Sequence, residues 1–275
     1  MKLTVLTLGC PNWDLPTVLE RCRGYGFAGI DFRGLGDQLD ITRLPAFTTG
    51  IEETRGMIAD AGMGVSGISS SINVCDPEKL KDNLEEARRT IPVALGLGAK
   101  NIRVFGGGPV DKVGHQHAAA AGSVCVEAIL DLDNASKLHW NFETHDHWVR
   151  AADCRHLLDA VSNPAFGTLW DLGHTSRVGN ESPEQTLAAL GRRVHYTHIK
   201  DAAFDPKHPQ AMGDGWRYTL PGAGELPLAH GLKLLRDHGY TGWLAFEHEK
   251  RWHAELPEPE IAFPAFVKWV REILG

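Results

Sequence analysis

A single (β/α)8 (TIM) barrel spanning residues 1–275 is the fold this sequence predicts. Three observations point to it. Short apolar runs alternate with stretches of helical period from one end of the chain to the other, eight times over. Glycines and prolines stand at the boundaries between them. The length, 275 residues, suits eight such units in one domain. A doubly wound open sheet is the alternative, but no GxGxxG follows a strand and opens a helix, so its nucleotide-binding form lacks the main signal.

The units follow in order. Lys2–Gly9 is a strand, and Leu15, Val18, Leu19 and Cys22 mark the amphipathic stretch after it. Ala28–Phe32 is the second strand, and Ile51, Met57, Ile58 and Ala61 give Gly50–Gly62 a helical period. Met63–Ile68 and a long helix from Glu78 to Leu97 form the third unit. Asn101–Phe105 runs into Gly106-Gly107-Gly108-Pro109, a turn that lets a ligand approach the backbone but carries no P-loop Lys-Ser/Thr; His115–Ser136 is helical. Lys137–Glu143 and Val149–Val161, then Phe166–Asp171 and Pro183–Leu190, are the fifth and sixth units. Val194–Ile199 is the seventh strand. The segment Asp201–Pro227 that follows has little periodicity, and its aromatics and glycines mark a functional loop. The helix Leu228–Asp237, the strand Trp243–Phe246 and the helix Ile261–Leu274 close the chain, with a second irregular loop at Lys250–Pro259.

Net charge is -7, which argues against nucleic acid or anionic membrane as a partner, since both require a positive footprint. The five cysteines are scattered and form no CxxC pair, so they read as free thiols in a reducing compartment. The first ten residues are too short for a signal-peptide core, and no apolar run is long enough to cross a bilayer. A cytoplasmic location is expected.

Chemistry in such a barrel gathers at the C-terminal ends of the strands. Here strand five ends in Glu143-Thr144-His145, strand six in Asp171-Leu172-Gly173-His174, strand seven in His198-Ile199-Lys200-Asp201, and strand eight in Glu247-His248-Glu249. Any one of these acids alone reads as a helix cap or ion-pair partner. Four successive strands ending this way do not. Glu143, Asp171 and Glu247 converging as buried carboxylates repel one another unless a cation joins them, and His198 adds a neutral nitrogen. That set suits one divalent metal ion, Mn²⁺ or Mg²⁺ preferred, with Zn²⁺ or Co²⁺ possible. Asp31, Arg33 and Arg103 are further polar candidates at the inner face or rim, with barrel ion pairs as the plainer reading. Trp216, Arg217 and Tyr218, with Trp252 and His253, are candidates to cover the mouth, and Trp13 to form an apolar wall.

NFETH around Glu143, WDLGH with Asp171 and His174, HIKDA from His198, and Glu247 after the last strand together resemble the xylose isomerase-like TIM barrel superfamily. The resemblance is to its sugar phosphate isomerase/epimerase branch, with ketose 3-epimerases and hydroxypyruvate isomerases, and it covers essentially the whole chain. It implies one divalent ion on Glu143, Asp171, His198 and Glu247, with Glu143 and Glu247 facing each other across the substrate as acid and base, and His174 on a substrate oxygen. Ketose 3-epimerases carry an arginine shortly after the strand-seven histidine, where this chain has Lys200 and Asp201. The endonuclease IV-type repair enzymes of the superfamily need extra histidines after strands two to four, where this chain has none.

The function expected is a metal-dependent isomerase or epimerase of carbohydrate metabolism. It would act on a small keto-sugar or polyol by proton transfer through an enediolate. Lys200 and His174 would stabilise charge on substrate oxygens, with His145, Arg103, Trp216 and Arg217 as further substrate contacts. A lyase or dehydratase acting on a keto-inositol or 3-keto-sugar is the alternative, because elimination starts at the same enediolate. A sugar-binding protein is the reading from another class. The expected partner is a small-molecule carbohydrate, with a homo-oligomer left open.

Overall fold

The computed structural model describes residues 1–275. The strands β1 (Lys2–Leu6), β2 (Gly29–Phe32), β3 (Gly64–Asn73), β4 (Asn101–Phe105), β5 (His139–Glu143), β6 (Phe166–Asp171), β7 (Val194–Ile199) and β10 (Trp243–Phe246) close into one parallel barrel. β10 pairs with β7 on one side and β1 on the other. A separate antiparallel pair, β8 (Asp201–Phe204) and β9 (Trp216–Thr219), stands on the C-terminal side of β7. The helices are α1 (Leu15–Tyr25), α2 (Ile51–Asp60), α3 (Leu80–Leu97), α4 (Val110–Leu130), α5 (Ala151–Ala160), α6 (Leu172–Arg177), α7 (Pro183–Leu190), α8 (Leu228–Asp237) and α9 (Pro259–Leu274). None is long and apolar enough to cross a membrane.

Local chemistry sets several boundaries. Asp14 caps α1 by accepting from the Thr17 amide at 3.0 Å, and Gly26 ends the helix in the left-handed region at φ 102°. Ser182 and Gln185 form a capping box at the start of α7. The strands carry apolar residues on both faces because helices cover the outside and side chains fill the inside.

The lumen is partly polar. Tyr196 on β7 reaches across it, donating to Asp31 Oδ2 on β2 at 2.9 Å and meeting Ser66 Oγ on β3 at 2.8 Å. Thr4 joins Ser66 at 2.6 Å, and Asn141 donates to Asn101 at 3.1 Å. Leu6, Leu8, Leu169, Tyr196 and Ala245 pack together as a small cluster distinct from the large core between barrel and helices. Strand side chains alternate in direction, so residues two positions on from this level share its inward face. Those residues are Arg103, Glu143, Asp171, His198 and Glu247, all buried.

Six sequence expectations need correction. β1 stops at Leu6, and a 3-10 turn covers Thr7–Gly9, where the Phe263 ring leaves no room for a Cβ on Gly9. β3 runs on to Asn73 rather than ending at Ile68. α4 begins at Val110, breaks at Gly114 (φ 77°) and ends at Leu130, not Ser136. A short helix, α6, follows Asp171 directly. Asp201–Pro227 holds the β8–β9 hairpin, anchored by the Asp201 carboxylate, which accepts from the amides of Ala202, Gly222 and Gly224 at 2.8–3.1 Å. In the Gly106–Gly108 turn the close approach is internal: Cβ atoms there would meet Trp148, Asn73 and the Cys75 carbonyl, and Trp148 donates to the Gly107 carbonyl at 2.9 Å.

Replacing Tyr196 by Phe removes the donor that spans the lumen to a fully buried carboxylate. A stability loss of about 1–3 kcal/mol is expected from the unsatisfied Asp31. The urea midpoint measured at constant slope checks this; an unchanged midpoint would show that Ser69, which also donates to Asp31, suffices.

Candidate metal centre

Four strand ends deliver the cluster. β5 contributes Glu143 as its last residue, β6 contributes Asp171, β7 contributes His198, and Glu247 follows β10. Their ligating atoms all lie within 4.8 Å of one another, and all four residues are buried. The Nδ1 of His198 stands 3.2 Å from Glu143 Oε1 and 3.3 Å from Glu247 Oε1, between the two glutamates. Asp171 has divided duties. Its Oδ1 caps α6 by accepting from the His174 amide at 2.8 Å, while its Oδ2 is buried with no hydrogen bond. Its backbone amide donates to Thr144 Oγ1 at 2.9 Å, which ties β6 to the end of β5.

Lys200 lies inside this cluster. Its Nζ is 3.0 Å from Asp171 Oδ2, 2.6 Å from Glu247 Oε2 and 3.0 Å from Glu249 Oε1, and its side chain is 4% exposed. Arg103 approaches Glu143 Oε2 at 3.6 Å and lies over the Phe105 ring at 3.8 Å. His174 is buried, with Nδ1 3.2 Å from Asp171 Oδ2, and packs edge-on against His145. His145 is partly exposed, rests on Phe105 and pairs with Asp146 at 2.7 Å.

Burial works against every charge here, and the neighbours decide the outcome. It would raise the Glu143 and Glu247 carboxyls, but His198 beside both, with Arg103 and Lys200 respectively, holds each below the usual range. Burial pushes Asp171 up to about 6, Lys200 pulling it down and the two glutamates pushing it higher. His198 is the reverse: burial disfavours its charge, yet Glu247 and Glu143 raise it to about 10. Burial and the nearby Lys200 ammonium keep His174 neutral, well below the ordinary histidine range.

A divalent ion fits these residues. The donors are three carboxylates and one imidazole at mutual ligand spacing. Asp171 Oδ2 is left by the helix cap to face charge, with the Lys200 ammonium at 3.0 Å, and His198 Nδ1 faces two carboxylate oxygens that need a cation or a proton between them. The sequence reading gives these carboxylates a metal ion as their counter-charge and Arg103 a barrel ion pair as its plainer role. The structure places that pair on Glu143 and adds Lys200 as a second cation within the cluster.

The remaining candidates separate. Trp216 packs on Phe204 at the outer part of the hairpin, with ring centroids 5.6 Å apart. Strand alternation puts Arg217 on the opposite face from Tyr218. Tyr218 is the hairpin residue that reaches the cluster: its ring is 6.0 Å from Lys200 Nζ and meets the rings of His253 and the guanidinium of Arg177. Arg177 on α6 also contacts Met212 Sδ at 3.2 Å and Asp214 at 3.4 Å, clamping the hairpin to the helix that starts at Asp171. Trp252 is 53% exposed, and Trp13 packs edge-on against Phe263. Arg33 donates to Ser71 at 2.9 Å. Sequence reasoning missed Glu249 and Arg177. The first was within reach, because Ala245, Glu247 and Glu249 share one parity at the end of β10. The second had no signal, since α6 and the hairpin were both unread.

Residues 19–273 match the family model for the xylose isomerase-like TIM barrel. Over 121 residues the chain is 34% identical to inosose dehydratase of Klebsiella pneumoniae; that stretch is 39% of this chain and spans 38% of the dehydratase's length. Among solved structures, the IolI protein with a bound zinc atom superposes with a TM-score of 0.81 at 15% identity, covering 100% of this chain and 98% of that one. D-psicose 3-epimerase with D-tagatose from Clostridium cellulolyticum H10 gives 0.77 at 14% identity, over 100% and 99%. The probable 3-DHS dehydratase AsbF from Bacillus anthracis gives 0.77 at 16%, over 98% and 99%. At these identities the structural likeness is one of fold.

Arg103 and Glu143 have side chains 3% and 2% exposed, so removing Arg103 leaves the buried Glu143 carboxylate with His198 alone beside it, and removing Glu143 leaves a buried guanidinium without its acid. Arg103→Met is expected to destabilise the protein by about 3 kcal/mol, with part of the loss recovered in the Arg103→Met/Glu143→Gln double variant. A double-mutant cycle by denaturation reads the coupling, and strict additivity would contradict it.

Proposed function

The chain belongs to the xylose isomerase-like TIM barrel family, and from that premise we propose that it is a divalent-metal-dependent enzyme moving protons next to the carbonyl of a small keto-sugar or polyol. The observation that carries the reading is the placement of Glu143 and Glu247 on either side of one imidazole, 3.2 and 3.3 Å from His198 Nδ1. Glu143, Asp171, His198 and Glu247 would hold the ion, Mn²⁺ or Mg²⁺ before Zn²⁺ or Co²⁺. When bound, it supplies Lewis-acid polarisation of the substrate carbonyl.

The chain's own groups do the rest. One of the two glutamates removes the α-proton and the other returns it, from the opposite face in epimerisation or to the neighbouring carbon in isomerisation. Charge that grows on the substrate oxygens as the enediolate forms is met by the Lys200 ammonium and by the neutral ring of His174. Tyr218, held by Arg177 and His253, covers Lys200 and excludes water from it. Arg103 on β4 and His145 just beyond β5 border the same space. This reading takes residues 1–275 as one domain. Its five buried, unpaired cysteines suit a reducing cytoplasmic setting.

The 34% identity with an inosose dehydratase favours a second outcome at the same site. Elimination begins with the same proton abstraction. The electron pair then expels a hydroxyl from the adjacent carbon, and that hydroxyl leaves as water after taking a proton from Lys200 or a glutamate.

Incubation with a panel of keto-sugars and keto-inositols in D₂O separates the outcomes by NMR. Deuterium at carbon with a new isomer marks epimerisation or isomerisation, and olefinic signals mark elimination. A panel that shows neither leaves the sugar-binding reading. Glu143→Gln and Glu247→Gln should each slow exchange by about 100-fold or more; near-normal exchange in either variant would remove that residue from its role. Elemental analysis of the purified protein should find about one divalent ion per chain, lost to chelators. Two or three ions per chain would revive the nuclease reading.

A further inference from the structure

Lys200 and a divalent ion compete for the same negative charge. The ammonium rests on Asp171 Oδ2 and Glu247 Oε2, which belong to two of the four residues in the ligand group. An ion drawn to those carboxylates meets a like charge already there, and in a site this dry such repulsion is poorly screened. The third partner of Lys200 is different. Glu249 Oε1 accepts from Nζ at 3.0 Å, but Glu249 lies outside the ligand group. Its side chain is 14% exposed, and Lys200 is its only side-chain partner. The Tyr218 ring, 6.0 Å from Nζ, gives the ammonium an aromatic neighbour as well.

Resting on the metal reading above, we propose that Glu249 is the positioning residue for Lys200. In the metal-free protein the ammonium is shared among Asp171, Glu247 and Glu249. When an ion binds, the ammonium withdraws onto Glu249, which keeps it buried, paired and close to the substrate oxygens. Lys200 is then a built-in counter-cation that stabilises the empty centre, and Glu249 is what allows it to give way. Without Glu249 the displaced ammonium has no second carboxylate, and the ion must bind against it.

Calorimetric titration of MnCl₂ into the chelator-stripped full chain tests this without reference to turnover. Lys200→Met should bind Mn²⁺ about tenfold more tightly, and Glu249→Gln about tenfold more weakly, with Glu249→Asp close to wild type. Most of the Glu249→Gln effect should vanish in the Lys200→Met background, because no ammonium is left to accommodate. A merely structural Glu249 would instead lower the melting temperature of the stripped protein and leave the Mn²⁺ affinity alone. The proposal is overturned if Lys200→Met weakens binding or leaves it unchanged, or if Glu249→Gln weakens it equally with and without Lys200. Should Lys200→Met fail to fold, the comparison of Gln with Asp at position 249 decides: equal affinities overturn the proposal. A wild-type chain that takes up no Mn²⁺ sinks the metal reading and this proposal together. Uptake by the wild type with no shift in the variants sinks this proposal alone.

Discussion

Charge placed where water is excluded governs this molecule. Three carboxylates sit at the C-terminal ends of β5, β6 and β10, each buried, and none can remain ionised there without a cation at hand. Nearly everything notable about the site answers that requirement. Arg103 leans on Glu143, Lys200 bridges Asp171 and Glu247, and His198 stands between the two glutamates. The polar lumen beneath obeys the same rule in a milder form, with Asp31 satisfied by the hydroxyls of Ser69 and Tyr196. The barrel thus stacks a hydrogen-bonded layer under a charged one, each two residues further along its strands.

The periphery is organised to hold that charged layer still. Asp171 begins α6 by capping it, so the helix and the acid share one orientation. Gly173 permits this, because a Cβ there would crowd the Lys200 carbonyl and the Asp171 carboxylate. Arg177 at the far end of α6 then grips Met212, Asp214 and Tyr218 of the hairpin region. Asp201 ties the hairpin's base to the Gly222–Gly224 turn. The cover over Lys200 is therefore fixed to the same helix that fixes an acid beneath it.

Much of this was legible in the residues. Parallel strands buried on both faces leave strong apolar runs, and six of the eight barrel strands, β2, β4, β6, β7, β10 and most of β5, begin and end close to where the sequence puts them. The four strand-end residues Glu143, Asp171, His198 and Glu247 were visible because ionisable groups directly after such runs have few cheap explanations. What was hidden depends on contacts distant in sequence. The hairpin alternates poorly, since both its strands are four residues long, with β8 buried at its first three positions and β9 half-covered throughout. The partner that Trp216 finds, Phe204, stands twelve positions earlier on the other strand of the hairpin, a pairing that no local pattern announces. The Gly106–Gly108 turn suggested a ligand cradle, but glycine is needed there for the nearness of Trp148 and Cys75.

The strand order joins the site to the closure of the ring. β10 is the last strand in the chain, and it is inserted between β7 and β1, the pair that would otherwise leave the barrel open. Glu247 follows immediately on it, with Glu249 two residues further along. Lys200 therefore takes two of its three acids from the segment that closes the ring. Barrel closure and the charged cluster rest on the same strand pairing, as an arch and its keystone do.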